Sequence, residues 1–257
     1  FKLDIATLNL NDVSKSGGYG GNGTWRFEQF GNVVLASNDN SKIQAWTIGV
    51  SSAFADVAAT APVAKDIAVV RDFVFAVNLA AGSNPDKVQW SDINDETDWT
   101  SGATSQSDFQ IIPDGGNVQA ITGGEFGVVL LEKSVIRCSY VGSPLFCQFD
   151  TISSGLGCLE GNSVARYGNI TFFLSDDGWY STDGQTVTNI GLEKVDRFFF
   201  DNVDLTKIDT ISAAVDPVKN LVVWNYADVD GNRKILIYNW QLGKWSRAET
   251  TSDVVGT

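Results

Sequence analysis

Five times along this chain an apolar strand, a tight turn and a second, still more apolar strand recur. A polar loop and a third strand ending in aromatic or polar residues follow each time. An internal repeat of this kind settles architecture before any local reading does. The second copy shows it most clearly: Ile67–Val70, a turn at Arg71-Asp72, Phe73–Val77, and then Lys87–Ser91. The first runs Arg26–Phe30, Val33–Ala36 and Lys42–Trp46; the third runs Val118–Thr122, Gly127–Glu132 and Val135–Tyr140. The fourth is Val164–Tyr167, Ile170–Leu174 and Trp179–Ser181, with Thr186–Thr188 beyond it. The fifth is Ile211–Val215, Leu221–Tyr226 and Lys234–Trp240, closed by Lys244–Arg247.

The turn centres at Gly31, Asp72, Glu125, Gly168 and Lys219 lie 41 to 53 residues apart, a spacing that suits four-stranded propeller blades. Val, Ile, Phe and Trp fit a pleated, half-buried surface, and Asn, Asp and Gly supply the turns. The second strand of each copy is almost continuously apolar, as a strand covered on both faces would be. The sequence therefore predicts an all-β fold: one β-propeller domain over residues 1–257, with about five complete four-stranded blades. Phe1–Val13 reads as two outer strands of a further, closing blade, giving roughly six. Its inner strands would come from the far end, beyond Thr257 or absent. The chain lacks Met even at position 1, and reads as a segment of a longer or processed product. Helix is scarce; Leu192–Phe200 has helical spacing and predicts one or two turns. Asp92–Trp99 predicts another short turn.

Histidine is absent. That removes the commonest general base and metal imidazole, and with them Ser-His-Asp, Cys-His and HExxH chemistry. Paired carboxylates remain, since glycosidases work with two acids. Asp176-Asp177 is the best such pair, although Ser-Asp-Asp-Gly also suits a tight connection. The acidic run Asp92, Asp95, Glu96 and Asp98 reads as a solvated, capped loop. Asp228–Asn232 resembles the start of a calcium loop but lacks the later Glu and the flanking helices, so it reads as a hairpin turn. The glycine-rich loop Gly17–Gly23 lacks the strand-before, helix-after setting of a phosphate loop. Cys138, Cys147 and Cys158 have no metal-binding or disulfide spacing and read as buried thiols. No catalytic, cofactor-binding or metal-binding residue is assigned, and no cofactor is expected.

Eight tryptophans, most of them near strand ends, invite a carbohydrate-binding reading. Packing between blades, with each indole N–H reaching a backbone group, explains the same positions. The net charge of −13, from 18 basic and 31 acidic residues, argues against affinity gained by neutralising phosphates. An acidic surface would let DNA slide past instead. The longest apolar runs fall far short of the roughly 20 residues that span a bilayer.

Several blocks taken in order resemble the propeller-containing tail nozzle, or packaged-DNA stabilisation, proteins of short-tailed bacteriophages and related prophages. They are Trp25–Gly31, Val69–Val74, Val88–Asp95, Gly123–Val129, Phe173–Gly178, Lys194–Phe199 and Leu236–Trp240. The resemblance implies a non-enzymatic virion structural protein in the tail, assembled in the host cytoplasm. It implies a homo-oligomeric ring that meets other tail and connector proteins, continues the DNA exit channel and helps retain packaged DNA. DNA would pass without sequence-specific binding. It carries over no catalytic residue. The alternative is a carbohydrate-binding or glycan-cleaving propeller that serves as a receptor module.

Overall fold

The computed structural model describes residues 2–21 and 23–252. Its strands, in chain order, are β1 (Lys2–Asp4), β2 (Asn9–Asn11), β3 (Arg26–Phe30), β4 (Val33–Ser37), β5 (Gln44–Thr47), β6 (Ala55–Asp56), β7 (Ala64–Val70), β8 (Phe73–Leu79), β9 (Asn84–Trp90), β10 (Asp108–Ile111), β11 (Val118–Thr122), β12 (Gly127–Leu131), β13 (Ser134–Gly142), β14 (Phe146–Ser154), β15 (Ala165–Tyr167), β16 (Ile170–Leu174), β17 (Trp179–Thr182), β18 (Val187–Asn189), β19 (Ser212–Asp216), β20 (Leu221–Ala227), β21 (Arg233–Asn239) and β22 (Lys244–Thr250). From β3 onward each consecutive set of four forms one sheet in simple meander order. The fold is an all-β β-propeller with five four-stranded blades.

Two compact units divide the chain, residues 1–127 with 139–148 and residues 128–138 with 149–257. The first unit holds the blades β3–β6 and β7–β10; the second holds β15–β18 and β19–β22. In the first, Val33 and Leu35 of β4 pack with Ile67 of β7 and Val74 and Ala76 of β8, over Trp99. All seven residues of β8 are buried, as its continuous apolar run requires. In the second, Phe172, Leu174, Trp179, Phe199, Val222, Trp224 and Leu236 form the core.

The inner hairpins match the sequence reading closely; β3, β11 and β16 have the expected bounds. The outer strands β6, β10 and β14 were not apparent. β6 is two exposed residues, and β10 exposes three of its four. A strand with solvent on one side and few neighbours carries no apolar run, so nothing marks it in the sequence.

The helix is shifted. Its observed span, α1, is Asp196–Asn202, not Leu192–Phe200. The backbone N–H groups of Lys194 and Val195 both donate to the Gly191 carbonyl, and Glu193 has φ 59. Residues 191–195 are therefore a turn, and helical geometry begins only beyond it. Asp92–Trp99 is a turn segment, as expected.

β1 and β2 pair in register, with Lys2 opposite Asn11 and Leu3 opposite Leu10. Asp4 closes their turn by accepting from the N–H groups of Ala6 and Thr7. Among the described residues this sheet has two strands where every other has four. Phe1, which begins the expected strand pair, lies outside the described residues.

Candidate functional site

Most of the acidic groups singled out in the sequence are engaged in hydrogen bonds or ion pairs within the chain. Asp176 is paired with Lys133, whose ammonium keeps the carboxyl below the usual range. Its neighbour Asp177 accepts from the Tyr180 hydroxyl at 3.0 Å. A general acid needs the opposite environment, one that raises its pKa. Asp92 accepts from the N–H groups of Ile93 and Gln106, Asp95 from Thr97, and Asp98 from Thr100. Asp228 accepts from the N–H groups of Asp230 and Asn232, which makes Asp228–Asn232 the hairpin turn expected. Among the described residues no group of three or more His, Cys, Asp or Glu could hold a metal ion. The three cysteines are buried and form no disulfide.

Close approach shapes the later part of the glycine loop. A Cβ at Gly23 would lie 2.0 Å from the Asn38 carbonyl oxygen, and one at Gly20 would lie 2.9 Å from that of Asn40. Asn38 donates its side-chain amide to the Gly20 carbonyl, and Gly20 donates its N–H to the Ser41 hydroxyl. The loop is thereby fastened to the turn after β4.

One buried carboxyl group joins three neighbouring strands of the first unit. The side chain of Asp66 on β7 accepts from its neighbour Ile67 N–H at 2.9 Å and from the Ile121 N–H of β11 at 3.0 Å. The Arg26 Nε of β3 stands 3.9 Å away. Burial pushes the Asp66 carboxyl up, against the pull of Arg26 and the two amides. The folded state therefore holds this proton more tightly than the unfolded chain, whose value is near 3.8. The cost of ionising Asp66 in place is absent below that pH and grows as the pH rises towards the folded value. Wild type should thus lose ground to Asp66→Asn as the pH is raised from about 4 towards neutrality. Paired urea titrations across that range read the gap; movement in wild type's favour would contradict this assignment.

Six of the eight tryptophans fall into two groups; of the other two, Trp179 is buried without the expected backbone partner for its indole N–H among the described residues. Trp90, Trp99, Trp224 and Trp245 donate their indole N–H to the carbonyls of Gln106, Glu96, Ser163 and Ile190 at 2.7–2.9 Å, the packing role expected. Trp25 and Trp46 instead line a groove of about 610 Å³ with Tyr19, Phe27 and Phe54. Trp25 and Phe27 stack at 6.2 Å, and the Lys2 ammonium lies 5.3 Å above the Trp46 ring. The register explains this concentration. Phe27 faces Ala36 and Val34 faces Trp46 across β3, β4 and β5, so these residues share one face of the first blade. The opposite face, with Val33 and Leu35, is buried. Phe27 is 60% exposed, and the Trp46 indole nitrogen is buried with no hydrogen-bond partner among the described residues. The sequence did not single out this groove, because its aromatic residues come from separated segments. The alternation of Trp25 and Phe27 was the one available signal.

The fold thus defines a β-propeller in which several aspartates cap its own turns and whose first blade presents an aromatic groove. No family model and no curated protein matches the sequence. Among solved structures, the chain is similar to one from the mitotic checkpoint complex, with 11% identity and a TM-score of 0.53, covering 100% of this chain and 77% of that one. It is similar also to a prolyl endopeptidase, with 13% identity and a TM-score of 0.53, covering 98% of this chain. This chain spans only 39% of that endopeptidase's length. Identities this low concern the fold alone.

Proposed function

We propose that the chain is a non-enzymatic structural component of a short-tailed bacteriophage tail, part of a homo-oligomeric nozzle or hub that retains and conducts packaged DNA. The observation that carries this reading is the ordered set of blocks resembling that family. Those blocks fall mainly on the blades' hairpins and turns: Trp25–Gly31 contains β3, Val69–Val74 joins β7 to β8, and Phe173–Gly178 leads into β17. The commitment of Asp176, Asp177 and the Asp92 group to internal hydrogen bonds supports a scaffold role. A net charge of −13 favours passage of DNA without adhesion. In this reading the β1–β2 hairpin is the outer half of a sixth, closing blade. The test is mass spectrometry of purified particles. The chain should be present in several copies per virion, and its absence from particles would overturn the proposal.

A second reading, a carbohydrate-binding propeller, is favoured by the aromatic groove, because indole and phenyl faces stack on sugars. A glycan array with the purified protein, repeated with Trp46→Ala, separates the two. The structural reading expects no glycan signal that the substitution removes.

A further inference from the structure

The aromatic groove of the first blade has two walls and one charge. Tyr19, Trp25 and Phe27 form one wall: Trp25 stacks on Phe27 at 6.2 Å and meets Tyr19 edge-on at 4.6 Å. Trp46 and Phe54, with ring centroids 6.5 Å apart, form the other. The strand order sets β4 between β3 and β5, so its Val34 and Ala36 make an apolar floor. The β1–β2 hairpin is fixed at the rim, because the Val13 carbonyl accepts from the Phe54 N–H at 2.8 Å. It brings the Lys2 ammonium to 5.3 Å from the Trp46 ring centroid. Among the described residues that line the groove, Lys2 is the only one with a charge. Lys15, next to the lining residue Ser14, is committed to Asp56 at 2.6 Å. The Tyr19 hydroxyl already accepts from the Lys15 N–H at 2.9 Å.

These features select among ligands. A cavity of about 610 Å³ falls within the range of small-molecule sites, about 300–1,000 Å³. A flat ring suits aromatic walls, where offset and edge-on contacts add to the area buried. A molecule with many hydroxyls would leave several of them unmatched against the apolar floor, at a cost for each. A single anionic group at the rim meets the Lys2 ammonium, and no described lining carboxylate opposes it. The net charge of −13 acts against an anion mainly at long range, where salt screens it beyond about 8–10 Å. We propose that this groove binds an aromatic carboxylic acid, with the ring between the two aromatic walls and the carboxylate on the Lys2 ammonium. Such a site is compatible with a structural role in a phage tail and does not depend on it.

The test titrates the protein at neutral pH with three probes of one shape, 2-naphthoate, 2-naphthalenemethanol and 2-naphthylmethylammonium, and reads dissociation constants by ligand-observed NMR. Naphthoate is expected to bind most tightly. Lys2→Gln should weaken it about three- to fivefold, the reach of an exposed ion pair, and leave the neutral alcohol unchanged. Phe27→Ala removes part of a wall at a residue that is 60% exposed, so the fold should survive, with circular dichroism as the check. It should weaken both the acid and the alcohol. Equal affinity for the three probes, tightest binding of the ammonium, or a naphthoate affinity that Lys2→Gln leaves unchanged would overturn the choice of an anion. No binding at millimolar concentration, or binding that Phe27→Ala does not alter, would overturn the site itself.

Discussion

Trp224→Ala should cost the second unit about 3–5 kcal/mol of stability, the range for removing a large buried aromatic side chain. Trp224 is fully buried. Its ring centroid lies 4.3 Å from that of Trp179 and 5.6 Å from that of Trp245, which it stacks upon. Trp179 in turn meets Phe199 of α1 edge-on at 5.1 Å, so one indole supports a chain of rings from β20 through β17 to the helix. The substitution also takes the donor from the Ser163 carbonyl, which Trp224 now reaches at 2.8 Å; a buried acceptor left unmatched adds about 1–3 kcal/mol. Trp224→Phe should recover part of the packing and none of the hydrogen bond, and so fall between. Urea unfolding followed by far-ultraviolet circular dichroism reads all three proteins. A loss below about 0.5 kcal/mol, the scale of an ordinary surface change, would mean that this core is not assembled as described.

Gly123→Ala should be the most damaging change of its size in the first unit. A Cβ there would lie 1.9 Å from the Val69 carbonyl oxygen and 2.7 Å from the Val69 carbonyl carbon, both backbone atoms. The adjoining bonds hold the two segments together: Gly124 donates to the Val69 carbonyl at 2.8 Å, and Arg71 donates to that of Gly124 at 2.7 Å. A methyl group cannot be accommodated by rotating a side chain, so the backbones must part. Overpacking costs about 1–3 kcal/mol, more when the backbone must shift, and the upper end is expected here. Gly31→Ala provides the contrast. Nothing lies within 4 Å of its Cβ position, and only its φ of +58° opposes the change, a cost of roughly 1–2 kcal/mol. Parallel thermal melts should rank Gly123→Ala well below Gly31→Ala. The reverse order would show that conformation, not close approach, governs these turns.

Both glycines sit in blade turns, and the sequence treats them alike. Only the tertiary contact separates a glycine needed for its φ from one needed for its missing side chain. The same limit runs through the fold. The inner hairpins were legible because β8, β12 and β16 are apolar along most of their length, a consequence of being covered on both faces. The strands β6, β10 and β14 face solvent and carry no such pattern. The helix was legible in kind but not in position. Its spacing begins at Leu192, but the Gly191 carbonyl captures the next N–H groups first and delays it to Asp196. The packing tryptophans were legible from their places in the repeat. The groove was not, because it unites Tyr19, Trp25, Phe27, Trp46 and Phe54 through a sheet register that no local window contains. Asp66 likewise looks like one more acid in the sequence. Its burial between Arg26 and the Ile121 amide exists only once three strands are side by side.

Electron cryo-microscopy of purified particles tests the proposed assignment most directly. The expected map shows several copies of this propeller around the tail axis. Tail density that leaves no place for the propeller would contradict the assignment.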